Sequence, residues 1–430
     1  MENAARRVMT VFLIILVFAV FAALMLSRKL PAILAVPAMA IAVAVIVRAP
    51  LDQILNHVIA GGAARLAEAY LTVIAGAMLG RVVMQTGIAE GIIKRAAEFG
   101  GDRPLIVAVT MMVAIAFLFV ALTGLGAIIM VGSLALPIMM SIGVPRKLSG
   151  ILFLLAYGVG FVFNIGMWKF YETALKLQPQ TVKSFAAILT AVQVIAVIIF
   201  LLIASKRMSS YGAWVVAVDE AEIEKGAKRG APLVALLTPI LPLVLHLGFK
   251  WHVIPSFFAA AILGVLITRW RETVQQLTGA AVRGLEDVAP AVILMIGIGM
   301  LLNATTMPVV QASLKPLVTA INFHSPVVYV VFFGLLSPLA LYRGPLNPYG
   351  IGIGIYSLIG TLGLLPPLAL LAALMSVVQV QAVCDPTNTH NVWIANYVGM
   401  RAEETTRGTI ICQIAVCIAG LIIGSVLYLR

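Results

Sequence analysis

Val383-Cys384-Asp385-Pro386-Thr387-Asn388-Thr389-His390-Asn391 closes a long apolar run that begins at Pro366, and apolar sequence resumes at Gly408. A polar stretch with a proline cannot continue a lipid-facing helix, because proline withholds a backbone donor and crowds the preceding turn. At membrane depth such backbone is tolerated only where it is buried in protein or lines a watery cavity. Polar residues there are costly, which makes them functional candidates. The stretch therefore reads as half of a binding site.

The surrounding composition sets the solvent. The chain has 430 residues, 62% hydrophobic and only 11% charged, with mean hydropathy +1.09, against roughly a quarter charged in a soluble domain. This pattern predicts an all-α polytopic membrane protein with about 10–12 transmembrane segments, expected in a cell membrane such as the bacterial inner membrane. The net charge of +12 sits mainly between apolar runs. There it orients helices and meets anionic lipid and does not indicate nucleic acid. Cys384, Cys412 and Cys417 show no paired spacing, so no disulfide or zinc framework is expected. Val8–Leu26 reads as a retained first helix, not a cleaved signal.

Taken in order, residues 1–204 form a first transmembrane repeat, with a hairpin near 104–140 and a broken helix near 148–172. A polar linker, 205–231, is expected on the cytoplasmic side. Residues 232–430 form a second repeat, with a hairpin near 326–362 and a broken helix near 366–391. Leu51–Glu68 and Ala69–Met84 read as separate helices, as do the charged Arg271–Asp287 and the small-residue run Val288–Leu302. The two halves match at an offset of about 220 residues, a spacing read directly from the sequence. Asp102-Arg103-Pro104 falls near His324-Ser325-Pro326, Gly143-Val144-Pro145 near Leu364-Leu365-Pro366, and Asn164 near Asp385. Paired interruptions in two halves point to a transporter site at the midplane; the inverted form is the expected one.

Four segments are expected to converge: tip one (Thr123, Gly124, Gly126), break one (Asn164 to Lys169), tip two (Tyr342 to Tyr349) and break two. Arg343 is the leading candidate, because guanidinium grips a carboxylate with two parallel hydrogen bonds; the alternative is a snorkelling helix-end arginine. Asp385 is the coupling candidate, as proton carrier or cation ligand, with Asn164 and Asn388 as further ion ligands. Asp385-Pro386 also reads as a helix cap. Gly344, Asn347, Thr387, Asn388, Thr389, His390 and Asn391 offer contacts to substrate or to backbone. Lys169 serves the substrate or pairs with Glu172. No nucleophile elbow, metal-enzyme spacing or phosphate loop is present, so neither an enzyme nor a cofactor is expected; the coupling ion is H⁺ or Na⁺.

At these residues the sequence resembles the ion transporter superfamily, and within it the citrate–divalent-metal:proton symporter and gluconate permease families. The resemblance spans nearly the whole chain as a plan. It rests on Met25-Leu26-Ser27-Arg28-Lys29-Leu30-Pro31-Ala32, on Ala121-Leu122-Thr123-Gly124-Leu125-Gly126 at the first tip, and on Ser337-Pro338-Leu339-Ala340-Leu341 leading into the second. It implies a homodimer, a scaffold and a mobile substrate domain, elevator-like alternating access, and H⁺- or Na⁺-driven uptake of a small organic anion. The first tip here lacks the acidic residue of the citrate family. The other readings are the membrane subunit of a binding-protein-dependent (TRAP-like) transporter, or a transporter of a neutral substrate.

Overall fold

The computed structural model describes residues 2–27, 29–178, 181–208, 231–350 and 352–429; most of the expected linker lies outside them. Among the described residues there is no strand. The first half comprises α1 (Glu2–Leu26), α2 (Ala32–Ile46), α3 (Gln53–Gln85), α4 (Ile88–Gly100), α5 (Pro104–Phe119), α6 (Leu125–Ser141), α7 (Arg146–Val162), α8 (Ile165–Leu175) and α9 (Val182–Met208). The second comprises α10 (Leu233–Leu247), α11 (Val253–Arg269), α12 (Thr273–Thr305), α13 (Pro308–Thr319), α14 (Pro326–Arg343), α15 (Gly352–Thr361), α16 (Pro367–Cys384), α17 (Thr389–Tyr397) and α18 (Ala402–Tyr428). Prolines open α5, α13, α14 and α16, where the missing N–H would have had no helical partner anyway.

Among the described residues seven helical segments are long and apolar enough to span a membrane, two of them joining neighbours (α11 with α12, α16 with α17), or eight if the bent pair α7–α8 (58°) counts as one span. Five shorter apolar helices supply hairpin arms and half-spans. The lower number of full spans has a physical cause. Leu51–Glu68 and Ala69–Met84 are not separate but run on as α3, with a bend at Leu66, and Arg271–Asp287 continues without a break into Val288–Leu302 as α12. Arg65 is hydrogen-bonded and Arg81 pairs with Asp287 inside the protein, so the helices run past these charges, while Arg283 and Glu286 lie exposed on α12.

That pairing occurs where α3 crosses α12. Arg65 Nη1 donates to Asn303 Oδ1 at 2.9 Å, and Arg81 Nε donates to Asp287 Oδ2 at 2.6 Å. A Cβ on Gly62 would lie 2.5 Å from Met300 Cα, and one on Gly284 would lie 2.8 Å from Met78 N. One separation, 222 residues, takes 62 to 284, 65 to 287, 78 to 300 and 81 to 303. Each contact thereby becomes its counterpart, the signature of a two-fold arrangement in which i meets j and j meets i. The hairpin exits repeat likewise. Val144 N bonds Met139 O and Leu364 N bonds Ile359 O, behind Gly143 and Gly363 at positive φ.

The other body is built on α16, whose residues from Ala369 to Cys384 are all buried. It packs against α7, α9 and α18 and carries both breaks.

Candidate functional site

Break two is held by its own polar residues. A broken helix leaves its last carbonyls without partners, and in a low-dielectric interior each orphan is expensive. Asn388 Nδ2 donates to Gln381 O at 2.8 Å, Asn391 Nδ2 to Val383 O at 3.2 Å and to Asp385 O at 2.8 Å, and His390 Nε2 lies 2.7 Å from Ala382 O. Gln381 Nε2 returns a bond to Asn388 Oδ1. The amides and imidazole expected to face a substrate or ion thus close α16 in this conformation. Thr389 is exposed and opens α17, which has no side-chain cap.

Asp385 is fully buried and joins break two to tip two. Its Oδ1 accepts from Tyr342 N (3.1 Å), Thr387 N (2.9 Å) and Thr387 Oγ1 (2.7 Å), and its Oδ2 accepts from Asn347 Nδ2 (3.4 Å). Four hydrogen bonds converge on its two oxygens. The cap reading and the link to tip two coexist in one group. Asn347 also donates to Ala340 O and accepts from Tyr349 N, bracing the loop from inside. Gly344 packs against the Leu339 and Leu341 carbonyls, where no Cβ fits.

Tyr342 and Arg343 take left-handed backbone (φ 54° and 60°), which costs a non-glycine residue roughly 1 kcal/mol each. The bond from Tyr342 N to Asp385 helps fix that shape. Among the described residues the half-buried Arg343 makes no hydrogen bond or ion pair, although it lies within electrostatic reach of Asp385, Tyr349 and His390.

Break one is built similarly with a neutral residue. Asn164 caps α8 by accepting from Met167 N, and its Nδ2 donates to Phe119 O (3.1 Å) and Leu122 O (3.3 Å) at the end of α5. Asn164 therefore ties break one to tip one, as Asp385 ties break two to tip two. Tip one packs against α12. A Cβ on Gly126 would sit 2.6 Å from both Asp287 carboxylate oxygens, Gly124 (φ 89°) packs on Val288, and Thr123 Oγ1 is buried without a partner. Lys169 is buried and held by Glu68 (2.6 Å) and by Glu172 (3.5 Å), so its charge is balanced within the chain.

Several residues escaped the sequence reading. Arg81 and Asp287 form the ion pair beneath tip one. Tyr157, Tyr171 and Tyr349 lie within electrostatic range of one another. The Tyr157 ring packs on His390 (centroids 4.8 Å), and Tyr349 stacks on Phe170 (5.4 Å), its hydroxyl reaching Met167. Tyr157 sits in an apolar run, where an aromatic reads as core; Tyr171 follows break one and Tyr349 closes tip two. The only available signal was their recurrence beside the breaks.

No family model and no curated protein sequence matches the chain. Among solved structures it is similar to the crystal structure of the Alcanivorax borkumensis YdaH transporter, described as having an unusual topology. The TM-score is 0.60, the identity 12%, and 98% of each chain is covered. At that identity the likeness shows the fold alone. It gives no specific support to the citrate or gluconate families. Over the described residues the chain is all-helical, with several helices long and apolar enough to cross a membrane, and it shares the fold of that transporter.

Proposed function

We propose that the protein is a secondary active transporter of a small organic carboxylate, driven by H⁺ or Na⁺ and working by elevator-type alternating access. One observation carries the reading: Arg343. It is a cation in a break between two apolar arms, without a partner among the described residues, while the charges around it are satisfied. Lys169 has two carboxylates, Asp287 has Arg81, and Asp385 has four donors. An unpaired guanidinium at membrane depth is costly and is relieved by an anion that it can grip with two bonds. The uncapped start of α17 adds backbone donors suited to the same charge, and the nearby tyrosines add hydroxyls.

Asp385 supplies the coupling. Protonating it removes a charge and an acceptor site from the bond set that fixes Tyr342 and Asn347, so proton binding favours a looser tip two. The test is thermal stabilisation of purified protein by mono-, di- and tricarboxylates and sugar acids, at two pH values and with or without Na⁺. Binding to the folded state raises the midpoint by mass action. A carboxylate hit that vanishes in Arg343→Ala is expected; no hit among the anions removes the reading.

A further inference from the structure

Among the described residues, thirteen buried side-chain polar atoms have no hydrogen-bond partner, and seven of them lie on three helices of one bundle. They are Thr190 Oγ1 and both amide atoms of Gln193 on α9, Ser376 Oγ and Gln379 Oε1 on α16, and both amide atoms of Gln413 on α18. Gln193, Ser376 and Gln413 are 0% exposed and Gln379 is 1%.

Gln193, Gln379 and Gln413 line one seam by contact and helix register. A Cβ on Gly158 would lie 3.3 Å from Gln193 Nε2 and 3.6 Å from Gln379 Oε1, so two of the amides meet where that glycine leaves room. Helices α16 and α18 run antiparallel: Gly424 faces Ala372, Gly420 faces Ser376, and Thr409 Oγ1 bonds Cys384 Sγ at 3.2 Å. This register sets Gln413, one turn beyond Thr409, level with the last turns of α16 and within about a turn of Gln379. The seam ends near the coupling residue. Val383 touches the same Gly158 position, and Asn391, bonded to the carbonyls of Val383 and Asp385, has its own Oδ1 unpartnered.

Buried polar atoms are rarely left unpaired, and a cluster of them calls for a guest. The orphans include amide donors as well as carbonyl and hydroxyl acceptors. A cation satisfies only the acceptors, and it meets no free carboxylate here, since Asp385 already accepts from four donors. Water both donates and accepts, and typically takes about three such bonds in an interior. We infer that the seam formed by Gln193, Gln379 and Gln413 is a buried hydrated site, and that its water exchanges protons with Asp385. The second half rests on the proton-coupled form of the proposed function. In the step itself an O–H bond of the nearest water breaks as one forms on an Asp385 oxygen, and the next proton along the file restores that water. No other reactant is needed.

Radiolytic hydroxyl-radical footprinting of the wild-type protein tests the hydration. Met375 lies one turn before Gln379 and is 1% exposed; Met39, Met111 and Met139 are equally buried elsewhere. Bound water beside the seam should oxidise Met375 several-fold faster than those three. Equal protection of all four overturns the hydrated site, and a Met375 rate that changes with Na⁺ overturns water as the guest. The proton step is tested with Gln193→Met plus Gln379→Met, which removes unpaired polar atoms at similar volume and so spares the fold. Carboxylate affinity should hold while accumulation driven by a pH gradient slows several-fold; an unchanged rate overturns proton exchange. A wild type driven by Na⁺ alone would remove the proton coupling, with the footprint still deciding the hydration.

Discussion

At the residue scale, Arg343 and Asp385 carry the sharpest consequences. A bidentate guanidinium–carboxylate contact is worth roughly 1.5–3 kcal/mol in charge-assisted bonds. Arg343→Ala should therefore weaken carboxylate binding by about ten- to a hundredfold, and Arg343→Lys should retain part of the affinity, as read by calorimetric titration. Equal affinity in all three proteins would make Arg343 a structural residue. Asp385→Asn keeps one acceptor for Tyr342 and Thr387 but cannot take up a proton. It should exchange substrate across proteoliposome membranes yet fail to accumulate it against a gradient; normal accumulation would place the coupling elsewhere. Both residues were legible in the sequence because each stands in a break flanked by proline and apolar runs. His390, Asn388 and Asn391 were legible as polar groups at membrane depth. Their use on the carbonyls of α16 was not, because a carbonyl's need for a donor appears only once the helix end is placed.

At the element scale, the breaks could be read from glycine, proline and amide clusters, and the hairpins from their repetition. The continuity of α3 and α12 could not. The partners of Arg81 and Arg65, the Asp287 carboxylate and the neutral amide of Asn303, lie 206 and 238 residues away, and nothing local marks a charge as internally bonded. The crossing makes a prediction of its own. Gly62 and Gly284 occupy matching positions, each pressed against the backbone of the opposing helix at 2.5–2.8 Å from where a Cβ would stand. Backbone cannot yield as a flexible side chain can, so Gly62→Ala and Gly284→Ala should each cost about 1–3 kcal/mol through overpacking. Their melting temperatures in detergent should fall by similar amounts. A large loss at one glycine with none at the other would deny that the two sites are equivalent.

At the scale of the whole molecule, the paired crossing of α3 and α12 and the bundle around α16 are separate centres of packing. Direct polar links between them are few, and Glu68 on α3 makes one, contacting Lys169 on α8 and also His252 at 2.6 Å. Part-exposed pairs of this kind contribute about 1 kcal/mol or less, which holds an orientation without locking it. Tip one rests on the Arg81–Asp287 pair with two glycines and no side chain in between, a contact that can separate without unthreading anything. If the bundle slides past the crossing during transport, the Glu68–Lys169 contact must open in every cycle. Cysteines at these two positions, joined by a short thiol cross-linker, should then arrest uptake while leaving carboxylate binding measurable, and a cleavable linker should restore uptake on reduction. The unlinked double variant, lacking the ion pair, should transport at a rate close to wild type, because so weak a contact shifts an equilibrium only several-fold. Full-speed uptake by the cross-linked protein would mean that α3 and α8 keep their relation throughout. Alternating access would then have to come from the hairpin tips alone, with Asp385 opening and closing tip two over a fixed site.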